Sequence, residues 1–533
     1  MITLYDLAAG GSIKCWSPNP WKARYILNYK KLPYRTIYVD FENVNTVIKE
    51  AGFASSRPNP DGTPAYTVPS IIDDATGALV TDSYNIAEYL DKQYPDTPKA
   101  FPPGTEALQA AFYAQWNTRA RECFQLPIIV TSVPRILTKE SSLEYFYRTR
   151  SLWFGKPLDQ IRPQGEDFEK LWKQAVAFFD ELDSWYAKSS GQFLTGENPS
   201  FADFTVAGAV KALKIVRGED SEDWQRFSAL NNGRWAKLEQ ALENEDWEKV
   251  GTTNRGKWAK LLPGSLGKYD SVKLVIVIRW DSDQPRILDR SLTNKYPWSF
   301  IIQEDNASVP KMKCGSRLAA TIYVDWEEIG SVIKEAGIPP SRYKADGVPV
   351  YTAPSIIDDA TGERVTDSFK IAEYLDKQYP DTPKAFPPGT EALQAAFYQH
   401  FNDRFGEFDL LFIPFVPRVI AKESTLKYFH STMLALLGKP VDQLRLVGEE
   451  LEKLWQRLFK FLDEVQGWYA KSPGRFLTGD TPSFGDFVVG GRLNIISTLV
   501  GKESEEWKRI ASASNGRWAR LQSDLEEYAS VEN

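Results

Sequence analysis

The sequence predicts a chain of mixed class: a small α/β domain followed by an all-helical domain, with the pair occurring twice. Three observations carry this. Residues 81–113 read TDSYNIAEYLDKQYPDTPKAFPPGTEALQAAFY, and residues 366–398 repeat them with only Tyr84/Phe369 and Asn85/Lys370 different. Ahead of the first copy of this stretch, short apolar runs alternate with helical patterns. Beyond Pro102-Pro103-Gly104 the apolar period changes to that of helices. The offset of 285 residues is far beyond the roughly 20–50 of a solenoid repeat. It is the size of a complete two-domain protein.

Each element follows from local pattern. Ile2 to Leu7 reads as a strand, and Pro18 to Lys30 as a helix with Ala23, Ile26 and Leu27 on one face. After the breaker Leu32-Pro33-Tyr34, Thr36 to Phe41 alternates Ile37, Val39 and Phe41 as a half-buried strand does. Val44 to Ala51 is a short helix closed by Gly52. Thr67 to Ile72 and Ala78 to Thr81 are strands around the turn Ala75-Thr76-Gly77, and Ser83 opens a helix to about Gln93. The order β-α-β-α-β-β-α implies a mixed four-stranded sheet with helices on its faces. From Thr105 to about Glu248 the pattern is helical, and it returns from Thr390 onward. The expected domains are 1–98, 99–250, a linker or degenerate segment 251–319, an incomplete α/β domain 320–383, and a second helical domain 384–533.

Composition narrows the function. A net charge of −7 without any dense Lys/Arg run excludes a nucleic-acid footprint and disfavours polyanions. The start MITLYDLAAGGSIKCWS has neither the basic end nor the apolar core of a signal peptide. No apolar run is long enough to span a membrane. The three cysteines, Cys15, Cys123 and Cys314, are odd in number and widely spaced, which points to a reducing, cytoplasmic compartment. The two histidines, His400 and His430, lie only in the second copy, so no His-based catalysis or metal site is shared between copies.

Three short motifs remain. Ser17-Pro18-Asn19-Pro20-Trp21-Lys22 opens the first helix with a favoured N-cap and a Pro in the first turn. A helix start of this kind also stabilises an anion. Val68-Pro69 precedes a strand, where a cis bond would leave the Val68 backbone free to pair with a peptide. Asp82-Ser83 opens another helix, with a carboxylate suited to an ammonium group and an N-terminus suited to a carboxylate. Taken singly, each is an ordinary cap or turn proline.

In this order, and followed by a helical domain, they resemble the glutathione transferases. Phe193-Leu194-Thr195-Gly196-Glu197-Asn198-Pro199-Ser200-Phe201-Ala202-Asp203 is similar to that family's F-L-x-G-x-x-P-S-x-A-D segment, in which Ser200 and Asp203 form a capping box. The resemblance covers nearly all of residues 1–250. W-S-P-N-x-W-K-x-R-Y, from Trp16 to Tyr25, looks like the fungal, Ser-type class related to the bacterial β-etherases. It implies a thioredoxin-like first domain and a role in detoxification. Glutathione would be the co-substrate, conjugated to small hydrophobic or aromatic electrophiles, with aryl ether cleavage as one form of the reaction, and no metal is implied. Ser17 would hold the glutathione sulfur. Val68, beside a cis Pro69, would pair with the tripeptide, and Asp82 and Ser83 would hold its γ-glutamyl end. Asn19, Trp21 and Lys22 lie close enough in sequence to contribute.

Cys15 supports a competing reading, a thiol-transfer oxidoreductase, but Ser17 stands directly before the helix proline, where such enzymes carry Cys. A ligand-binding protein of the same fold without turnover is the other alternative. Phe112, Tyr113, Trp116, Arg119 and Phe124 gather at the first long helix of the helical domain. Of these, Tyr113, Trp116 and Arg119 are the candidates for a pocket for the second substrate, beside the simpler assignment of such residues to a helix core.

The second copy is expected to lack the sulfur-activating unit. Without gaps, Ser17 projects onto Ile302, Asn19 onto Glu304 and Trp21 onto Asn306, and residues 251–319 match nothing in the first copy. Ala353-Pro354 and Asp367-Ser368 survive, so this half would keep the peptide cradle. It is either a pseudo-enzyme half or carries a stretch of intron origin. The copies are expected to pair as an internal pseudo-dimer, or else as a homodimer between chains.

Overall fold

Ile2–Leu7 (β1) is buried at every position. It is flanked on both edges by other strands, and its polar members Thr3 and Asp6 are buried with the rest, Asp6 paired with Arg24. The computed structural model of the chain describes residues 1–9, 15–59, 62–161, 163–243, 275–279, 311–314, 317–344 and 346–529. These form two compact units, one holding the first copy and the short stretch Gly389–Ala396, the other the rest of the second copy.

In the first unit β1 is followed by α1 (Pro18–Tyr29), β2 (Tyr34–Val39), α2 (Val44–Glu50), the two-residue strands β3 (Arg57–Pro58) and β4 (Pro64–Ala65), β5 (Ser70–Asp73), β6 (Ala78–Thr81) and α3 (Ser83–Gln93). The sheet order is β2-β1-β5-β6. β1 runs parallel to β2, with Ile2 opposite Tyr34, and antiparallel to β5, with Leu4 opposite Ile71. This is the thioredoxin-like arrangement. One face is filled by Tyr5, Val39, Ile48 and Phe53. The expectation for Ile37 is corrected: it is 38% exposed, because β2 is an edge strand and ends at Val39.

The helical domain comprises α4 (Glu106–Ala120), α5 (Glu140–Phe154), α6 (Gly165–Tyr186), α7 (Phe201–Arg217), α8 (Glu222–Ser228) and α9 (Arg234–Glu243). A π-helical stretch, Arg121–Ile129, continues α4 around Pro127. α7 is buried over most of its length and packs against α1, α4 and α9. Its start is fixed by the expected capping box: Asp203 accepts from the Ser200 amide and hydroxyl, both at 2.8 Å, and from the Tyr186 hydroxyl at 2.9 Å.

The second unit repeats this plan with one change. Its strands are β7 (Val275–Arg279), β8 (Lys311–Cys314), β9 (Arg317–Asp325), β10 (Arg342–Tyr343), β11 (Pro349–Val350), β12 (Ser355–Asp358) and β13 (Glu363–Thr366). The helices of the second copy are α10 (Ile329–Glu335), α11 (Ser368–Gln378), α12 (Glu391–Gly406), α13 (Glu423–Leu437), α14 (Gly448–Tyr469), α15 (Phe484–Val500), α16 (Glu505–Asp524) and α17 (Glu526–Ala529). The main sheet is β13-β12-β7-β9-β8.

β7 stands where β1 stands in the first unit. It is parallel to β9, with Val275 opposite Thr321, and antiparallel to β12, with Ile276 opposite Ser355. Residues 275–279, within the segment 251–319, supply this strand. The reason is that a central strand demands only a short β-branched apolar run, not a particular sequence. The positions projected from Ser17, Asn19 and Trp21, namely Ile302, Glu304 and Asn306, lie outside the described residues.

Candidate functional site

Ser17 is the N-cap of α1. Its backbone is extended, it is only 8% exposed, and its side chain makes no cap hydrogen bond. A buried hydroxyl at an open helix end is thereby left available to another acceptor or donor. Two residues earlier, Cys15 is buried against Asp6, whose carboxylate is paired with Arg24 at 2.7 Å. Burial, reinforced by the Asp6 charge, pushes the Cys15 thiol well above its ordinary range. Such a thiol does not ionise at neutral pH, and the thiolate is the reactive form. Cys123 is likewise pushed up by burial, to about 11.

Val68–Pro69 is a cis peptide, and so is Ala353–Pro354 at the matching place in the second unit. β5 begins at Ser70, so Val68 stands just outside the ladder. Asp82 caps α3: its Oδ1 accepts from the Tyr84 amide at 2.8 Å and the Asn85 amide at 3.4 Å. Its φ is 80°, and Asp367 repeats this at 83°. A non-glycine residue held there costs about 1–3 kcal/mol and marks places that the surrounding structure over-determines, often ligand clamps. Ser83 is 1% exposed, and its hydroxyl has no hydrogen-bond partner among the described residues. An orphaned buried hydroxyl of this kind costs about 1–3 kcal/mol, which a bound polar ligand would recover.

Lys22 is 3% exposed, and its ammonium donates to the Tyr113 hydroxyl at 3.0 Å. Tyr113 in turn stacks on Tyr84, with ring centroids 5.5 Å apart. Lys22 and Tyr113 thus meet, and Tyr113 stacks on Tyr84, the residue that follows Ser83 at the start of α3. Asn19 is exposed on the first turn of α1. Trp21 faces Tyr25 at 5.4 Å, and its indole N–H is buried without a partner among the described residues. Gly208 of α7 allows this packing. A Cβ there would meet the Pro18 carbonyl at 2.9 Å, so a larger residue would push the first turn of α1 away.

Two of the residues expected at a second-substrate pocket have contacts within the helical domain. Trp116 is 2% exposed, stacked on Phe112 and packed against Phe178 and Phe179, so it belongs to the helical core. The period of α4 that made it conspicuous is simply that of its buried face. Arg119 forms a two-pronged pair with Glu181 at 2.8 and 2.5 Å. Phe112 and Phe124 are core residues as well. Sequence reasoning missed the arginines that gather on Trp153; the signal was the Arg/aromatic interleaving of Tyr145-Phe146-Tyr147-Arg148-Thr149-Arg150-Ser151-Leu152-Trp153. Among the described residues there is no grouping of His, Cys, Asp and Glu able to hold a metal. No helix among them is long and apolar enough to cross a membrane.

Comparison with known proteins matches residues 16–93 to the family described as "Glutathione S-transferase, N-terminal domain". Residues 107–244 and 392–528 match "Glutathione S-transferase, C-terminal domain". The chain is 30% identical over 242 residues to the glutathione S-transferase-like protein ustS of Aspergillus flavus, covering 43% of this chain and 85% of that one. It is 27% identical over 186 residues to the glutathione S-transferase-like protein OpS6 of Beauveria bassiana, covering 35% and 70%. Among solved structures, a glutathione S-transferase of Ceriporiopsis subvermispora in complex with glutathione is 38% identical, with a TM-score of 0.43, and the alignment covers 46% of this chain and 97% of that one.

Proposed function

Starting from the glutathione S-transferase family, to which this chain belongs, we propose that its first unit binds glutathione and conjugates it to small hydrophobic or aromatic electrophiles. Ser17 is the sulfur-activating residue in this reading. The observation that carries it is the buried Ser17 hydroxyl at the start of α1, uncommitted as a cap, beside a Cys15 thiol locked in its protonated form.

The chemistry asked of Ser17 is modest. A hydrogen bond to a charged group contributes about 1.5–3 kcal/mol. At about 1.36 kcal/mol per unit this lowers a thiol pKa by about 1–2 units. From about 8.5 the bound thiol reaches roughly 6.5–7.5, enough for a large thiolate fraction at neutral pH. The Val68 backbone would pair with the tripeptide. Ser83, Asp82 and the start of α3 would hold the γ-glutamyl carboxylate and ammonium. Lys22 would keep Tyr113 turned away from Ser83. Asn19 and Trp21 would border the peptide.

The finer reading, a Ser-type etherase-like transferase able to cleave aryl ethers, rests on the W-S-P-N-x-W-K-x-R-Y segment. A cytoplasmic site rests on the cysteine pattern. The second unit keeps its cis proline and Asp367-Ser368, which supports a peptide cradle without sulfur activation. Pairing, inside one chain or between two, belongs to the same proposal and rests on the duplication and on the family's habit of dimerising. Mass and small-angle scattering in solution test it, and an elongated particle of one-chain mass would overturn both forms.

Calorimetric titration with glutathione, followed by turnover with 1-chloro-2,4-dinitrobenzene, tests the central claim. Saturable binding and thiol consumption are expected. Binding without turnover of any electrophile would convert the assignment to a ligand-binding protein, and absence of both would remove it.

A further inference from the structure

Three arginines of the first unit converge on one indole. The guanidinium of Arg57 lies 4.5 Å from the Trp153 ring centroid, that of Arg150 at 5.5 Å and that of Arg121 at 5.9 Å. Arg150 also lies 5.1 Å from the ring centres of both Phe41 and Phe146. Among the described residues no carboxylate is within ion-pair distance of any of the three. Arg57 and Arg121 are exposed, and Arg150 and Trp153 are half-buried, so the group faces solvent.

The arrangement is electrostatically unfavourable as it stands. Burial lowers the pKa of Arg150 to about 10, and the nearby Arg57 charge pushes the same way. Burial and the charge of Arg121 lower Arg57 as well. Like charges gathered without a counter-charge are relieved by an incoming anion, and guanidinium forks are suited to carboxylates. Cation–π contact with Trp153 holds the forks in place. The cluster also adjoins the candidate site: Phe41, beneath Arg150, stacks on Trp16 at 6.3 Å, and Trp16 directly precedes Ser17.

The second unit is an internal control. Its helix α13 has the same length as α5 and docks in the same way. Ser141 and Ser142 donate to Glu42 at 2.6 and 2.5 Å, and Ser424 and Thr425 donate to Glu327 at 2.7 and 2.6 Å. Phe41 meets Phe146 at 5.4 Å, and Trp326 meets Phe429 at 5.6 Å. Yet Met433 and Leu436 stand where Arg150 and Trp153 stand, and Gly406 where Arg121 stands; Arg342 alone matches. Leu436 is 72% exposed. The helix therefore folds and docks without the cationic group, so building the fold does not account for it.

We propose that Arg57, Arg121, Arg150 and Trp153 form a recognition site for an anionic aromatic second substrate, an aryl carboxylate, beside the sulfur-activating end of α1. The guanidiniums bind the carboxylate, and the ligand's ring packs at the border of the Trp153 cluster. This rests on the transferase reading above for its catalytic meaning, but the binding itself does not require glutathione.

The test uses the full chain without glutathione, with 2-naphthoate and its neutral analogue 2-naphthamide as probes, by calorimetry or equilibrium dialysis. Naphthoate is expected to bind about tenfold or more tighter than the amide, as a charge-assisted pair warrants. Arg150→Met with Trp153→Leu, the residues of the second copy, should abolish that preference while leaving the melting temperature within a few degrees. Arg57→Gln with Arg121→Gln, on exposed side chains, should reduce it by a similar factor and serves if the first variant does not fold. Equal binding of the two probes, or an undiminished preference in the variants, overturns the proposal. Displacement of naphthoate by saturating S-methylglutathione also overturns it, since the arginines would then hold the peptide's own carboxylate. Failure of glutathione turnover with this preference intact would count against the transferase reading alone.

Discussion

The Lys22 ammonium holds the Tyr113 hydroxyl at 3.0 Å, while the buried Ser83 hydroxyl, one residue before the Tyr84 ring on which Tyr113 stacks, has no partner among the described residues. In the second unit the corresponding tyrosine, Tyr398, lies near enough to the Ser368 side chain to be influenced by it. The matching pair in the first unit, Ser83 and Tyr113, makes no hydrogen bond among the described residues. With Tyr113 engaged by Lys22, the Ser83 hydroxyl is open to a ligand.

Replacing Lys22 by Met should release the Tyr113 hydroxyl to compete for Ser83. Glutathione affinity is expected to fall about fivefold to tenfold, the worth of one hydrogen bond. Adding Tyr113→Phe to the same chain should restore most of it. Calorimetry on the two variants checks this, and an unrestored double variant would show that Lys22 acts on the peptide directly.

Ser83→Ala should leave the ligand-free protein as stable as before or slightly more so, because the hydroxyl it removes is unpaired. Its glutathione Kd should rise by about tenfold. Thermal melts with and without glutathione separate the two effects. A large loss of stability without ligand would mean that Ser83 is structural.

Ser17→Ala should lower turnover by about 10- to 100-fold near pH 6.5, where the bound thiol depends on the hydrogen bond for ionisation. The deficit should shrink toward pH 9, where free glutathione ionises unaided. Cys15→Ala should change turnover little. A pH–rate profile of both variants decides, and loss of activity in the cysteine variant would revive the thiol-transfer reading.

Glu42 should make docking of α5 onto the α/β domain acid-sensitive. It accepts from Ser141 and Ser142 and pairs with Lys139 at 2.9 Å. These hydrogen bonds outweigh the opposing effect of burial and depress its pKa to about 2. With the folded value below the unfolded one, the stabilisation is fully present above about pH 4.5 and is lost as pH falls through about 2. The stability difference between the native chain and Glu42→Gln, followed by denaturant melts, should therefore narrow from pH 5 to pH 2. A constant gap would show that Glu42 is not the titrating group.

Much of this protein was legible before any coordinates. The duplication, the strand–helix order and the capping box at Ser200 and Asp203 are local, since they depend on periodicity and on residues a few positions apart. The motifs at Ser17, Val68 and Asp82 are local in the same sense, each a cap or a strand start. What tertiary structure decided is everything that depends on partners far along the chain. It put Trp116 in the core and paired Arg119 with Glu181, 62 residues away. It placed Val275–Arg279 in the slot of the first strand, because backbone pairing accepts any suitable β-branched run. It also brought Arg57, Arg121 and Arg150 onto one tryptophan, from segments whose spacing carries no period. Local periodicity records which face of an element is buried; which distant side chain meets it there is set only when the elements pack.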